Sequence, residues 1–463
     1  MTTASLAELS LASSQGAMRV LSGEGAVRGI GALVDELAPT GEIVLLTDSA
    51  AKVVDTVDLL ELVRALLHEG RSSRTVEALE SDHGVTLDEA TVARASADAA
   101  GAAVVIAVGS GTVSDLGKVV AAAVAAPLIS VQTAASVNGF ADPLSVLVQN
   151  GAKRTVPSMW PAALVIDSDV VAEAPVELTR AGVGDAVAIW SAPADWYLAC
   201  AIGMDPGEYD DRFVDPVREI APRLADASAT EAERLAALVE VLTVGGLVIG
   251  DAGTTAPLSG VEHLVSHVLD MSAMATHARH DLHGAQVGVA SILAASLWDV
   301  ALHEEHLLDL GPDDLSAPTG LRERVLETWS PVDPSGALGE ECWRAVEKKI
   351  DRWASVGDRV EAFFAGREGH LATLEQLAGD PAHPAAALRL WGGAPDLLRA
   401  DPGRVLRACP MGARCASLHA RPAVARRRLR ARRPVGRPAV RPCVRARGRG
   451  RRRALIPAVN QVV

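Results

Sequence analysis

The sequence is poor in aromatic residues, with eight Trp, four Phe and two Tyr making up 3% of the chain. A core built without them has to be filled by Ala, Val, Leu and Gly, whose small side chains suit helices that approach closely. Cysteine is scarce as well. Five scattered residues exclude a disulfide framework and a thiolate metal site, and Cys200 and Cys342 read as small buried hydrophobes. The N-terminal stretch MTTASLAELSLASSQGAMRV lacks the basic start and continuous apolar core of a secretory signal. No apolar run reaches the about 18 charge-free residues of a membrane span. A cytoplasmic protein without a membrane span is therefore expected.

Acidic residues are missing from one part of the chain. From Arg404 onward there are 18 Arg and no Asp, Glu, Lys or aromatic residue, so the tail carries about +18 and the preceding body about −32. The tail segment ARRRLRARRPVGRPAVRPCVRARGRGRRR has the charge of a nucleic-acid arm. Its vocabulary of Arg, Pro, Ala, Gly and Val is, however, what a GC-rich gene yields when translated in a shifted frame. Residues 404–463 are thus expected to be disordered or frame-shifted, and nucleic acid is not an expected partner.

The remaining length suits two domains. Between residues 18 and 175 short apolar runs alternate with helical stretches, the pattern of a parallel sheet covered on both faces. MRVLSG, EIVLLTD, RTVEALE, AAVVIAVG, PLISVQT and AALVIDS read as strands, and SVLVQNGAKRTVP as a hairpin about Asn150 and Gly151. Helices are expected over Ala26 to Leu37 and Leu87 to Ala100. After Pro175 strand signals vanish and helical runs take over: AVAIWSAPADWYLACAI, EAERLAALVEVLTVGGLVIG, two histidine-bearing stretches, and WRAVEKKIDRWASVGDRVEAFFAG. The expected architecture is an α/β nucleotide-binding domain over 1–175 followed by an all-α domain over 176–403.

Four motifs carry chemistry. GSGTVSDLGK, Gly109 to Lys118, follows the strongest strand and opens a helix, where Gly109 and Gly111 let the backbone approach a diphosphate and the helix end offers free N–H groups. It is neither the three-glycine dinucleotide fingerprint nor a P-loop, since Lys118 is followed by Val119. TAASVNGFADP, Thr133 to Pro143, ends the next strand, and Thr133 and Ser136 are placed to hydrogen-bond a cofactor at the carboxyl edge of the sheet. Asp48, at the tip of the second strand, suits a ribose 2′-hydroxyl and would repel a 2′-phosphate, which favours NAD over NADP; capping a helix is its alternative role.

The fourth motif is the pair of histidine stretches in SGVEHLVSHVLDMSAMATHARHDLHGAQVG. His263 and His267 are four apart, on nearly one helical face, and His283 heads a second helical run from which its ring can point back. Core histidines bonded to carbonyls are the plain alternative. In AGVGDAVAIW, Asp185 follows Gly182 and Gly184 at the expected start of the first helix of the helical domain. With His263 and His283 it would complete a one-carboxylate, two-imidazole set that leaves positions open on a divalent metal. Glu262 should point about 100° away from His263 and is not counted as a ligand. His277, His280, His303 and His306 read as surface residues.

The order GSGTVSDLGK, TAAS, AGVGD, SGVEHLVSH, LHGAQVG resembles the iron-containing alcohol dehydrogenase superfamily, and within it the sn-glycerol-1-phosphate dehydrogenases, over roughly residues 18 to 400. That resemblance implies a dehydroquinate synthase-like two-domain plan. It also implies a divalent Zn, Ni or Fe ion on Asp185, His263 and His283, with His267 facing the substrate and acting with Asp185 in catalysis. NAD would be held by Asp48, Gly109, Ser110, Gly111, Thr112, Asp115, Thr133 and Ser136. The implied reaction interconverts a secondary hydroxyl and a ketone, such as that of dihydroxyacetone phosphate, in a homo-oligomer.

Members of the superfamily carry Asp in S-x-D-G where this chain has Asn138, a substrate-contacting position at which Asn keeps the shape and loses the charge. They end in ordered helices where this chain has the Arg-rich tail, so exposed apolar surface is expected on the helical domain. Lys153 and Arg154 are candidates for a substrate phosphate or for a solvated surface. A lyase or cyclase of the dehydroquinate synthase type, with no net cofactor turnover, is the rival enzyme reading.

Overall fold

The computed structural model describes residues 18–392 apart from residues 69, 79, 82, 83, 150, 151, 279, 280 and 317. The Arg-rich tail, the turn expected at Asn150 and Gly151, and His280 lie outside the described residues.

Six strands form one parallel sheet: β1 (Arg19–Gly23), β2 (Ile43–Thr47), β3 (Ser73–Glu77), β4 (Val104–Gly109), β5 (Leu128–Gln132) and, after a hairpin of β6 (Leu144–Gln149) with β7 (Ala152–Pro157), β8 (Ala163–Asp167). Their spatial order is β1–β8–β5–β4–β2–β3. Strands β2, β4, β5 and β8 are buried along their whole length, which is why they read as unbroken runs of Val, Ile and Leu rather than as alternating patterns. Helices α1 (Ile30–Leu37), α2 (Leu59–Leu66), α3 (Glu89–Asp98) and α4 (Gly111–Val124) cover the two faces.

The order brings the separate motifs together. Neighbouring strands β2, β4 and β5 all end at the same edge, with Gly109 opposite Gln132 and the Thr47 hydroxyl donating to Val108 O at 3.0 Å. Asp48, the Gly109–Thr112 turn and Thr133 therefore share one carboxyl-edge crevice, where ligands of open parallel sheets bind.

Sequence reasoning missed α2 and the short hairpin of Val53–Val54 with Val57–Asp58 that precedes it. The signal for α2 was Asp58, whose carboxylate caps the helix by accepting from Glu61 N at 3.0 Å.

Beyond β8 the described residues form helices only. The ones that matter here are α5 (Val176–Ala186), α6 (Ala192–Ala201), α7 (Glu231–Ala252), α8 (Val261–Ala275) and α9 (His283–His303), followed by α10 (Leu321–Trp329), α11 (Ala337–Ser355), α12 (Gly357–Ala365), α13 (Arg367–Leu377) and α14 (Ala382–Leu390). The run expected as one helix over residues 186–202 is broken. Helix α5 ends at Ala186, a 3-10 turn covers Val187–Trp190, and α6 begins after Ser191 because Pro193 has no N–H to continue the ladder. The later run breaks at Val356, between α11 and α12.

By length and composition α7 and α9 are apolar enough to cross a membrane, although neither contains 18 residues free of charge. In this fold α7 supplies Leu238, Val241, Leu242 and Ile249 to the core of the helical half. Helix α9 leaves Leu293, Leu297 and Val300, spaced along one face, between 38% and 40% exposed.

Lys118 is the one lysine among the largest fully buried side chains. Its ammonium lies 2.9 Å from Asp115 and 3.1 Å from Asp142, and donates to Gly139 O at 2.6 Å and to Leu144 O. Burial opposes its charge, but the two carboxylates outweigh that and raise its pKa. The last residue of the glycine motif thus ties α4 to the 139–144 loop instead of reaching a phosphate. Lys118→Met should leave the buried Asp142 and the partly buried Asp115 without their cation and cost about 3–5 kcal/mol. The denaturation midpoint of the purified variant, compared with that of the parent at neutral pH, checks it.

Candidate metal centre and cofactor crevice

Asp185 is the penultimate residue of α5, not at its start. The helix begins nine residues earlier, and the two glycines expected to precede it lie inside it and serve close packing. A Cβ on Gly182 would overlap the carbonyl oxygen of Ala135 in the TAAS loop, and one on Gly184 would overlap that of Gly284 at the head of α9. The same helix therefore touches the TAAS loop on one side and the His283 turn on the other.

His263, in the first turn of α8, and His283, the first residue of α9, converge on the buried Asp185. The His263 Nε2 and His283 Nε2 atoms lie 3.4 and 3.8 Å from Asp185 Oδ1, and one ligand atom from each of the three residues falls within 4.8 Å of the others. No other group of His, Cys, Asp and Glu among the described residues meets that criterion. Asn138 N donates to Asp185 Oδ2 at 3.1 Å, which turns the other carboxylate oxygen toward the histidines. The main chain of Asn138 is thus part of the centre, whereas its side chain lies toward Gly245 on α7.

Two residues that sequence reasoning passed over orient His263. Glu262, fully buried, accepts from His263 Nδ1 at 3.0 Å and from the Ser191 hydroxyl at 2.8 Å. It is not among the convergent ligand atoms, but its carboxylate fixes the His263 ring, the role a second carboxylate plays beside a histidine that binds a metal. The helix break at Ser191 puts that hydroxyl in place. Burial opposes a charge on His263, yet its hydrogen bonds to Asp185 and Glu262 prevail and raise its pKa to about 9.

His267 lies one turn on, its ring centroid 5.9 Å from that of His283. Burial first, then the charges of Lys153 and His263, push its pKa down to about 3, so the ring is neutral at physiological pH. Its Nδ1 is buried without a hydrogen-bond partner. Burial, followed by His263, Lys153 and His267, likewise lowers His283. The neutral His283, the carboxylate and the orphaned nitrogen fit a site meant to receive a cation and a polar ligand. His277 and His303 are exposed, as expected for surface residues.

In the crevice, Ser110 precedes α4 without a side-chain capping bond, leaving the first-turn amides of Gly111, Thr112 and Val113 for a ligand. Gly109 and Gly111 are also required by packing, since a Cβ on either would crowd Val113 or Val137. Thr133 and Ser136 are buried at the end of β5. The Asp115 carboxylate is engaged by Lys118 and by Val146 N at 3.0 Å. Asp48 accepts from Ala50 N at 3.1 Å and pairs with Lys52, which also donates to Ala50 O. Lys153 pairs with Asp270 and Arg154 with Glu341, so both head groups are already engaged from the hairpin to α8 and α11.

The sequence of residues 21–175 matches the family model described as iron-containing alcohol dehydrogenase. The glycerol-1-phosphate dehydrogenase [NAD(P)+] of Methanosarcina acetivorans is 32% identical over 66% of this chain and 84% of its own length. The enzyme of the same name from Halorubrum lacusprofundi is 30% identical over the same shares. A solved probable glycerol dehydrogenase from Sinorhizobium meliloti superposes with a TM-score of 0.47 at 16% identity, over 76% of this chain and 97% of that one. This chain belongs to the iron-containing alcohol dehydrogenase family. Within that family its curated relatives carry the name glycerol-1-phosphate dehydrogenase.

In the metal-free protein His263 holds a proton below its pKa of about 9, and a cation on Nε2 has to displace it. The apparent affinity for Zn²⁺ should therefore rise about tenfold per pH unit between pH 6.5 and 8.5 and level off above about 9. Competition with a chromogenic chelator across that range measures the slope.

Proposed function

We propose that this protein is an NAD(P)- and metal-dependent oxidoreductase that interconverts dihydroxyacetone phosphate and sn-glycerol 1-phosphate. The observation that carries the reading is the convergence of Asp185, His263 and His283 on one point, joined through Asn138 to the cofactor crevice, in a chain of this family. Oxidation of the secondary hydroxyl of glycerol 1-phosphate gives dihydroxyacetone phosphate, which is chemistry for which such a site is suited.

A divalent ion held by these three side chains supplies Lewis acidity toward the secondary oxygen of the substrate, and the dinucleotide supplies or takes the hydride. The protein's own residues do the rest. Glu262 holds His263 with Nε2 toward the centre, and the Asn138 amide holds Asp185 in the orientation that meets it. His267 is neutral at working pH, so it serves as a hydrogen-bond partner that orients the substrate hydroxyl rather than as a store for its proton. The amides opening α4 bind the diphosphate, and Thr133 and Ser136 line the path between the dinucleotide and the metal residues.

Asp48 favours a ribose hydroxyl, but Lys52 on its carboxylate offsets the repulsion of a 2′-phosphate, so both NAD and NADP are accepted in this reading. The ligand set suits Zn, Ni or Fe. The rival lyase reading finds no support among the relatives.

Protein stripped by chelation and reloaded with Zn²⁺ or Ni²⁺ should oxidise NADH with dihydroxyacetone phosphate, one cofactor per substrate, and lose that activity again on chelation. Cofactor binding without consumption would sink the substrate assignment. His267→Gln is expected to lower kcat by about 10²-fold with the metal still bound. Lys52→Met should lower kcat/KM for NADPH about tenfold while sparing NADH, read in the same assay.

A further inference from the structure

Outside the ligands, one set of polar residues reaches His283 from the other half of the chain. Lys153 on β7 pairs with Asp270, and Gln286 Nε2 donates to Asp270 Oδ1 at 2.9 Å. The Ser266 hydroxyl donates to Gln286 Oε1 at 2.7 Å and lies 2.9 Å from His283 Nδ1. Ser266 and Asp270 are one helical turn apart on α8, and both are essentially fully buried. Gln286 is one turn beyond His283 on α9.

The direction of every bond in this set follows from one charge. An ionised carboxylate only accepts, so Gln286 must turn its amide N–H₂ toward Asp270 and its carbonyl toward Ser266. The single hydroxyl proton of Ser266 is then spent on Gln286. His283 Nδ1 has to be the donor to Ser266, which leaves Nε2, the atom facing Asp185, with a bare lone pair. Lys153 supplies the counter-charge to the Asp270 carboxylate, which is only 1% exposed.

We propose that Lys153 and Asp270, acting through Gln286 and Ser266, are positioning residues that fix the tautomer of His283 so that Nε2 is always available as a ligand. The proposal rests on the metal reading of Asp185, His263 and His283. Neutralising Asp270 removes the polarity of the set. Gln286 can then rotate, Ser266 can donate to Nδ1, and the proton moves to Nε2.

The test uses full-length, ¹⁵N-histidine-labelled protein, with the His283 signals assigned by difference from His283→Gln. In the metal-free parent, His283 should be protonated at Nδ1. In Asp270→Asn and Lys153→Met a population protonated at Nε2 should appear, and Zn²⁺ affinity by chelator competition should fall 10- to 100-fold; Lys153→Arg should restore both. Gln286→Met, at a half-buried position, carries the same test if Asp270→Asn does not fold. Unchanged tautomer and affinity in the folded variants would overturn the proposal. A parent protein that binds no divalent ion would instead overturn the metal reading, while the tautomer of the metal-free protein still decides this one.

Discussion

The site depends on how closely α5 can approach its neighbours. Gly182 lies against the Ala135 carbonyl and Gly184 against that of Gly284, contacts that any side chain would push apart. Separating α5 from α9 by the width of one methyl group would pull Asp185 away from His283, whose facing atoms are 3.8 Å apart. The scarcity of aromatic residues and the abundance of Ala and Gly serve this packing: small side chains set the distance between backbones, and the backbones set the distance between ligands.

Charge buried inside the protein is the second organising constraint. Lys118, paired on its own helix with Asp115, draws the 139–144 loop onto α4 through the Asp142 carboxylate and two carbonyls, and that loop begins beside Asn138, whose amide orients Asp185. Glu262 and Asp270, on opposite sides of the histidines along α8, orient one ring each: Glu262 directly, Asp270 through two intervening side chains. Each of these acids is a cost of desolvation that the structure offsets with hydrogen-bond donors or a paired cation.

Much of this was legible in the sequence. The parallel strands showed as unbroken apolar runs, and the His263 and His283 stretches, with Asp185, stood out because imidazole and carboxylate are rare on apolar helices. What stayed hidden depended on tertiary contact. The glycines before Asp185 looked like a helix start because their packing partners, Ala135 and Gly284, are about 50 and 100 residues away in sequence. The role of Lys118 at the end of the glycine motif was not legible because nothing local reveals Asp142 folding back onto it. Ser266 and Asp270 share the face of His263 at helical spacing, a signal that was present but reads as ordinary polarity until Gln286 is seen opposite.

The three convergent side chains come from the end of one helix and the beginnings of two others, spread from Asp185 to His283. No local segment of the chain can assemble even two of them on opposite sides of an ion. The loops that must close first are long, and their closure is driven by apolar packing rather than by coordination. An ion held by these three side chains would therefore enter a body that has already folded. In this it is unlike the zinc of a small finger domain, which acts as the core of its fold. Because this ligand set accepts several divalent ions, the identity of the metal would be set as much by the supply in the cell as by the chain.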